Sequence, residues 1–420
     1  MKKNIYYLLS ALLLSVSSCV DYNDATQPLQ ATSIRLVKPS VFVDNSGLAN
    51  QTITMKSANR TLTFTTNAEG MVTPDNLIPD VYDISAAWSI SSTEYEQLTA
   101  GQAHALSSSH NLTITGSLSQ QQVSANQDID LPLIVNEDQD IIIGKFYFAT
   151  SRDNNNRNYE PGRYIELYNQ ADDSVDVSGL YIGLVEAEST QNQAYTLDNL
   201  HEQHNDSVVL LKQIFRIPAD KPFMVKPGGT VLLVNSAIDH TQMNTTLEAD
   251  LSHADFEAKD NSSRYTNNPD VPALEVVYSY ISSISFMNML NNGLCGVVIF
   301  KTDEDVSSWP LTYKYPNTAT SGSQWKLLPK RYILDGVECL SNRAEIGPDL
   351  STKRLYSEID ASCTHIEAIS GRTGEVVYRK TSERTGADGH KLLIDTNNSS
   401  NDFKVSTTIK PGEYDEQTEN

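Results

Sequence analysis

Cys19 is the thiol whose placement points most directly to chemistry. Ahead of it stand a short basic head, Lys2 and Lys3, an apolar run from Ile5 to Leu14, and the small residues Ser15, Ser17 and Ser18. The run is too short to cross a bilayer as a stable helix, and its three zones come in the order that export processing requires. The other candidates are weaker. His201-Glu-Gln-His204 places two histidines three apart, whereas a zinc-peptidase helix needs them four apart on one face. Asn205-Asp-Ser follows as a loop, and His240, His253 and His365 are scattered. Asp153-Asn-Asn-Asn-Arg-Asn alternates oxygen-bearing side chains as calcium loops do, but it lacks the required glycine and the closing bidentate Glu, so a solvated connection is the simpler account. Asp172, Asp173 and Asp176 could chelate calcium loosely, yet a polar hairpin explains them as well. Asp395-Thr-Asn-Asn-Ser-Ser-Asn-Asp402 is dense in turn formers, and Asx-turn hydrogen bonds account for that composition. No Gly-x-Ser-x-Gly elbow, phosphate loop or dinucleotide fingerprint is present. The expectation is no catalytic residue, no metal and no cofactor. Acidic pairs that converge only in space are not visible at this level.

The elements that must carry these residues read as strands. Short period-two segments rich in threonine begin at Ser33-Ile-Arg-Leu-Val and continue through Ile53, Met55, Leu62 and Phe64, with a turn at Asn67-Ala-Glu-Gly70. Further strands are predicted at Asp130-Leu-Pro-Leu-Ile-Val, Ile141-Ile-Ile-Gly-Lys-Phe-Tyr-Phe-Ala and Arg163-Tyr-Ile-Glu-Leu-Tyr-Asn169. In the last of these, Tyr164, Glu166 and Tyr168 share one face. Strands at Phe215-Arg-Ile-Pro and Val225 to Asn235 follow, the latter opening on a Pro-Gly turn. Few helix signals interrupt them, so the fold class is all-β, in tandem antiparallel immunoglobulin-like or prealbumin-like sandwiches. Residues 1–18 read as a signal peptide and 19–31 as a tether. One sandwich is expected over 32–137 and a second body over 138–410, with a long loop-rich insertion at about 236–330. The last fifteen or so residues look frayed.

Composition narrows the role. About 400 residues remain after the leader, ample for real cores. A net charge of −22 repels nucleic-acid phosphate and excludes DNA or RNA as partner, while keeping an exposed protein soluble. Cys295, Cys339 and Cys363 cannot all pair internally; buried small hydrophobes are the plain reading, and a Cys339–Cys363 bridge stays open. Trp309, Trp325, Tyr313 and Tyr315 suit either a carbohydrate- or protein-binding surface or a sandwich core.

Several segments resemble known families. Leu14-Ser-Val-Ser-Ser-Cys19 resembles a relaxed bacterial lipobox, which implies cleavage before Cys19 and acylation of its thiol. Val20-Asp-Tyr-Asn-Asp24 resembles the surface-export signal of Bacteroidota lipoproteins, which favours the cell surface over the periplasmic face. Thr65-Thr-Asn-Ala-Glu-Gly-Met-Val-Thr73 with Leu77-Ile-Pro-Asp-Val-Tyr-Asp-Ile84 resembles the carboxypeptidase-regulatory module, although Asn67 and Asp80 stand where Asp and Gly are usual. Such modules are accessory sandwiches and imply no peptidase. Tyr164-Ile-Glu-Leu-Tyr-Asn169, Val175-Asp-Val-Ser-Gly-Leu-Tyr-Ile182 and the later Pro-Gly turn are similar to a lamin-tail-type immunoglobulin-like domain. Leu251-Ser-His-Ala-Asp-Phe-Glu257, the Trp325 to Glu338 segment and Asp395 to Phe403 resemble family 4876 of the domains of unknown function, Bacteroidota lipoproteins of this architecture. That resemblance implies architecture and address and names no substrate.

These expectations combine into a lipid-anchored outer-membrane protein. The bilayer is engaged through acylated Cys19, and the body acts without catalysis as a binding or accessory component of a nutrient-uptake system. A TonB-dependent outer-membrane receptor is the expected partner. An adhesion or envelope-structural protein, and a hydrolase whose groups converge only on folding, are the alternatives.

Overall fold

The computed structural model describes residues 32–58, 60–75, 77–100, 112–137, 139–187, 195–313 and 321–414. Cys19, the leader, the tether and Tyr315 lie outside them. Within them the chain is built of mostly antiparallel sheets, the all-β class that the alternating segments predict. It divides into two compact units at Ala86/Ala87, Ser117/Leu118 and Leu133/Ile134.

In the first unit, Ser33–Val37 pairs with Met71–Val72 on one side and runs parallel to Asp128–Pro132 on the other. The hairpin of Thr52–Ser57 and Arg60–Thr65 pairs onward with residues 83–86. Alternation decides burial here: Ile53, Met55 and Ile84 are buried, while Thr52 and Lys56 face solvent. The side chain of Asn67 closes the next turn by accepting from the Glu69 and Met71 amides at 3.1 and 2.9 Å. Gly70 completes that turn at a φ of 76°, a conformation that costs glycine little.

The second unit is a sandwich. One sheet has the order Phe256–Glu257, Thr230–Val234, Tyr164–Asn169, Ile141–Tyr147, Val376–Arg379 and Phe403–Ser406. The other runs Leu311–Tyr313, Gln324–Pro329, Val208–Arg216, Tyr181–Val185, Val297–Phe300 and Ile333–Val337, with Glu275–Ser279 also paired to Val208–Arg216. Ile143, Phe146, Ile165, Leu167 and Val377 of the first sheet meet Ile182, Leu184, Phe215, Ile299 and Val337 of the second in one core. Val297–Phe300 shows why some strands read as unbroken apolar runs. Val297 and Ile299 enter that core, while Val298 and Phe300 pack on the far side with Trp309, Trp325, Leu355 and Tyr356. Trp309 and Trp325 are therefore core residues. Segment 236–330 supplies strands of the second sheet alongside its long connections.

The outer face of the first sheet carries Tyr164, Glu166 and Tyr168 as alternation requires, and the partner strand slips register between Glu166 and Leu167. Gly144 is the extra residue at that bulge, and the missing Cβ leaves room for the Tyr414 hydroxyl. Ile142, Tyr168, Tyr378, Leu393, Ile409 and Tyr414 cover this face as a second small core.

Candidate functional site

A cleft of about 900 Å³ in the second unit brings together residues that the sequence presents as separate candidates. Asp172 and Asp173 from one turn and Asp395 from another line it, with Asp140 and Arg384. One wall is the turn after Tyr164–Asn169. Asn169 is fully buried and organises it, donating to the carbonyls of Asp173 and Val225 at 2.9 and 2.8 Å and accepting from the Ala171 amide at 2.9 Å. The buried amide makes a backbone turn rigid because leaving those groups unpaired would be costly.

A second wall is the hairpin Thr381–Thr385 with Lys391–Leu393. It is pinned to the first wall at three points. The Ala387 amide donates to Asp172 at 2.6 Å, the Tyr168 hydroxyl donates to the Lys391 carbonyl at 2.7 Å, and His390 Nε2 meets the Gln170 carbonyl at 3.3 Å. His390 folds back over Gly386, where a Cβ would overlap the imidazole and displace it from this position. Asp172 is thus a structural acceptor as well as a cleft residue.

Behind the cleft, Arg379 ends the strand Val376–Arg379 and is fully buried. Its guanidinium donates to both oxygens of Asp335 at 2.9 Å, to Asp395 at 3.1 Å and to Asp402 at 3.3 Å. It also donates to the carbonyls of Ile143 and Ile394 at 2.8 and 3.0 Å and lies over the Phe403 ring. One cation serves three carboxylates in a dry setting. Burial therefore outweighs its attraction and lifts Asp335 to about 6 and Asp402 to about 7. Burial alone would lower Arg379, but the three carboxylates together hold it above its ordinary value. Asp402 further accepts from the amides of Thr396 and Asn398 at 2.9 and 3.3 Å and from the Thr396 hydroxyl at 2.7 Å. The Asp395–Asp402 run is thus a locked loop, as its composition suggests, and it is also one half of an ion cluster.

Through Tyr414 the tail differs from the frayed end that its composition predicts; residues 415–420 lie outside the described residues. Ile409 and Tyr414 are buried, and Lys145 Nζ donates to the Lys410 and Glu413 carbonyls at 2.7 and 2.6 Å. Glu166 accepts from the Gly412 amide and the Tyr414 hydroxyl, both at 2.6 Å, and pairs with Lys145 at 3.2 Å. The buried ion pair would be costly without those extra donors and acceptors, so the tail through Tyr414 is an integral part of the sheet face.

The remaining candidates serve structure. His201 and His204 sit in the last turn of the helix Leu197–His204, and His201 pairs with Asp206 at 2.7 Å. Asp153 accepts from the amides of Asn155 and Arg157 at 2.9 and 2.8 Å, an Asx turn. Asp176 accepts from Ser178 and Phe223, each at 2.9 Å. Among the described residues no group of His, Cys, Asp and Glu is placed to hold a metal ion, and no helix is long and apolar enough to cross a membrane. Glu248 converges with Tyr147 and Ser151 in a buried cluster that sequence spacing does not suggest, and burial lifts it to about 7.

Comparison with known proteins gives a partial match. Residues 226–410 match the family model described as Protein of unknown function (DUF4876). The chain is similar in structure to a DUF4876 family protein from Bacteroides thetaiotaomicron VPI-5482, known from a crystal structure. Sequence identity is 18% and the TM-score 0.55, over 89% of this chain and 94% of the other. That likeness is one of fold. No curated protein matches the chain.

Proposed function

We propose that this chain is a lipoprotein of the outer membrane. Acyl chains on Cys19 hold it at the cell surface, and its body binds or presents a ligand for a TonB-dependent nutrient-uptake receptor without catalysing a reaction. The leader carries this reading: basic head, short apolar run and small residues end on one thiol, followed by the acidic stretch from Asp21 to Asp24. Anchoring by acyl chains holds a soluble body firmly, since each buried methylene adds about 0.8 kcal/mol.

The second unit supports the non-catalytic part. Its convergent carboxylates, Asp335, Asp395 and Asp402, share Arg379, and the first and last are buried away from solvent. An acid–base pair needs to reach a substrate proton, whereas these groups hold loops in place. The cleft beside them is walled by pinned polar turns, an arrangement suited to recognition by a rigid surface. Affinity capture of the full chain from detergent-solubilised membranes tests this. Recovery with an outer-membrane barrel protein, lost when Cys19→Ser keeps the chain off the membrane, is expected. Recovery of the chain alone overturns the receptor reading.

A further inference from the structure

Cys295, Cys339 and Cys363 are all buried, and none is joined in a disulfide in the structure. Their arrangement is nevertheless unequal. Val297–Phe300 and Ile333–Val337 pair antiparallel with Val297 opposite Val337. Extending that register two residues past its last pair sets Cys295 opposite Cys339, and one backbone bond fits it: the Cys295 amide donates to the Cys339 carbonyl at 3.5 Å. Directly opposed residues of this hydrogen-bonded kind have Cα atoms about 5.5 Å apart, within the range of about 4.4–6.8 Å that a disulfide spans. Both side chains enter the core between the sheets.

Cys363 reaches Cys339 from the other side, where Cys339 bridges Thr364 in parallel. Thr364 is the residue opposite, and Cys363 precedes it. Cys363 packs with Ala187, Leu294 and Leu340, in a cluster apart from the one that holds Cys295 and Cys339. The pair left open by sequence spacing, Cys339–Cys363, is therefore disfavoured by the separate packing of Cys363.

We propose that Cys295 and Cys339 are a cross-strand disulfide pair, closed during folding under oxidising conditions, with Cys363 retained as a thiol. The oxidant is a small-molecule or protein disulfide. The Cys295 thiolate attacks it and releases one thiol, forming a mixed disulfide. The Cys339 thiolate then attacks the Cys295 sulfur and releases the second thiol. Two protein thiols lose two electrons and two protons, and the oxidant's disulfide gains them. The closed bond would clip Ile333–Val337, the terminal strand in its sheet order, to its neighbour.

The test refolds the purified full chain in oxidised or reduced glutathione. It then alkylates the chain in denaturant and maps it by non-reducing proteolysis and mass spectrometry. Because it uses purified protein, its outcome is independent of the membrane address proposed above. The expected result is a linked Cys295–Cys339 peptide with Cys363 alkylated, retained in Cys363→Ser and absent in Cys339→Ser. Alkylation of all three body cysteines after oxidative refolding, or a linked peptide containing Cys363, overturns the proposal. Should Cys339→Ser not fold, the wild-type and Cys363→Ser maps decide it.

Discussion

Replacing Arg379 by Met removes the one cation that three carboxylates share while roughly preserving side-chain length. Asp335 alone loses two hydrogen bonds of 2.9 Å, Asp395 and Asp402 lose theirs, and the carbonyls of Ile143 and Ile394 lose donors. Stripping one partner from a buried ion pair costs about 3–5 kcal/mol, so a loss of about 4 kcal/mol is expected at pH 8. Acid should soften it. Burial already lifts Asp335 from 3.8 to about 6 and Asp402 from 3.8 to about 7. A group raised on folding contributes stability that is complete below its unfolded value, about 4, and lost as pH rises through 6 to 7. Without Arg379 both acids rise further, so at pH 5.5 they fold neutral and the cost of their charge disappears. The deficit should then fall to about half its value at pH 8. Urea denaturation at the two pH values, followed by emission from the buried Trp309 and Trp325, measures it. A deficit below about 1 kcal/mol at pH 8, the scale of a surface pair, would contradict a shared buried cation, as would one that grows on acidification.

Glu248→Gln should flatten the pH dependence of stability between pH 5 and 8. Burial raises Glu248 from 4.5 to about 7, so its contribution is present below its unfolded value and lost through pH 7. The change is about 3 kcal/mol at most, read from urea midpoints across pH. Tyr414→Phe deletes the 2.6 Å hydrogen bond to buried Glu166 and should cost about 1–3 kcal/mol, measured as a lower thermal midpoint. Trp325→Ala opens a cavity beside Tyr280 and should cost about 3–5 kcal/mol with loss of near-ultraviolet ellipticity.

What the sequence discloses is local. Ile141–Tyr147, Lys145 apart, and Val297–Phe300 are readable because a strand covered on both faces is mostly apolar, and the Asn67 turn because its side chain substitutes for backbone partners. The Asp395–Asp402 run is readable as a locked loop for the same reason. Its counter-ion is not readable: Arg379 lies 16 and 23 positions from those two acids and 44 from Asp335, and no periodicity connects them. The tail misleads because its polar composition hides two anchors, Ile409 and Tyr414, that find their partners only on a folded sheet. The cleft is likewise a product of tertiary pairing, since Asp172 reaches the amide of Ala387 across 215 positions. Cys19 is the opposite case, where order along the chain is itself the signal.

The most direct check on the anchored-lipoprotein account is the mass of the mature N-terminal peptide from membranes. An anchored lipoprotein would give a chain that begins at Cys19 and carries fatty acyl groups on it. A chain retaining Met1 to Ser18, or one starting near Cys19 without fatty acid, would contradict it.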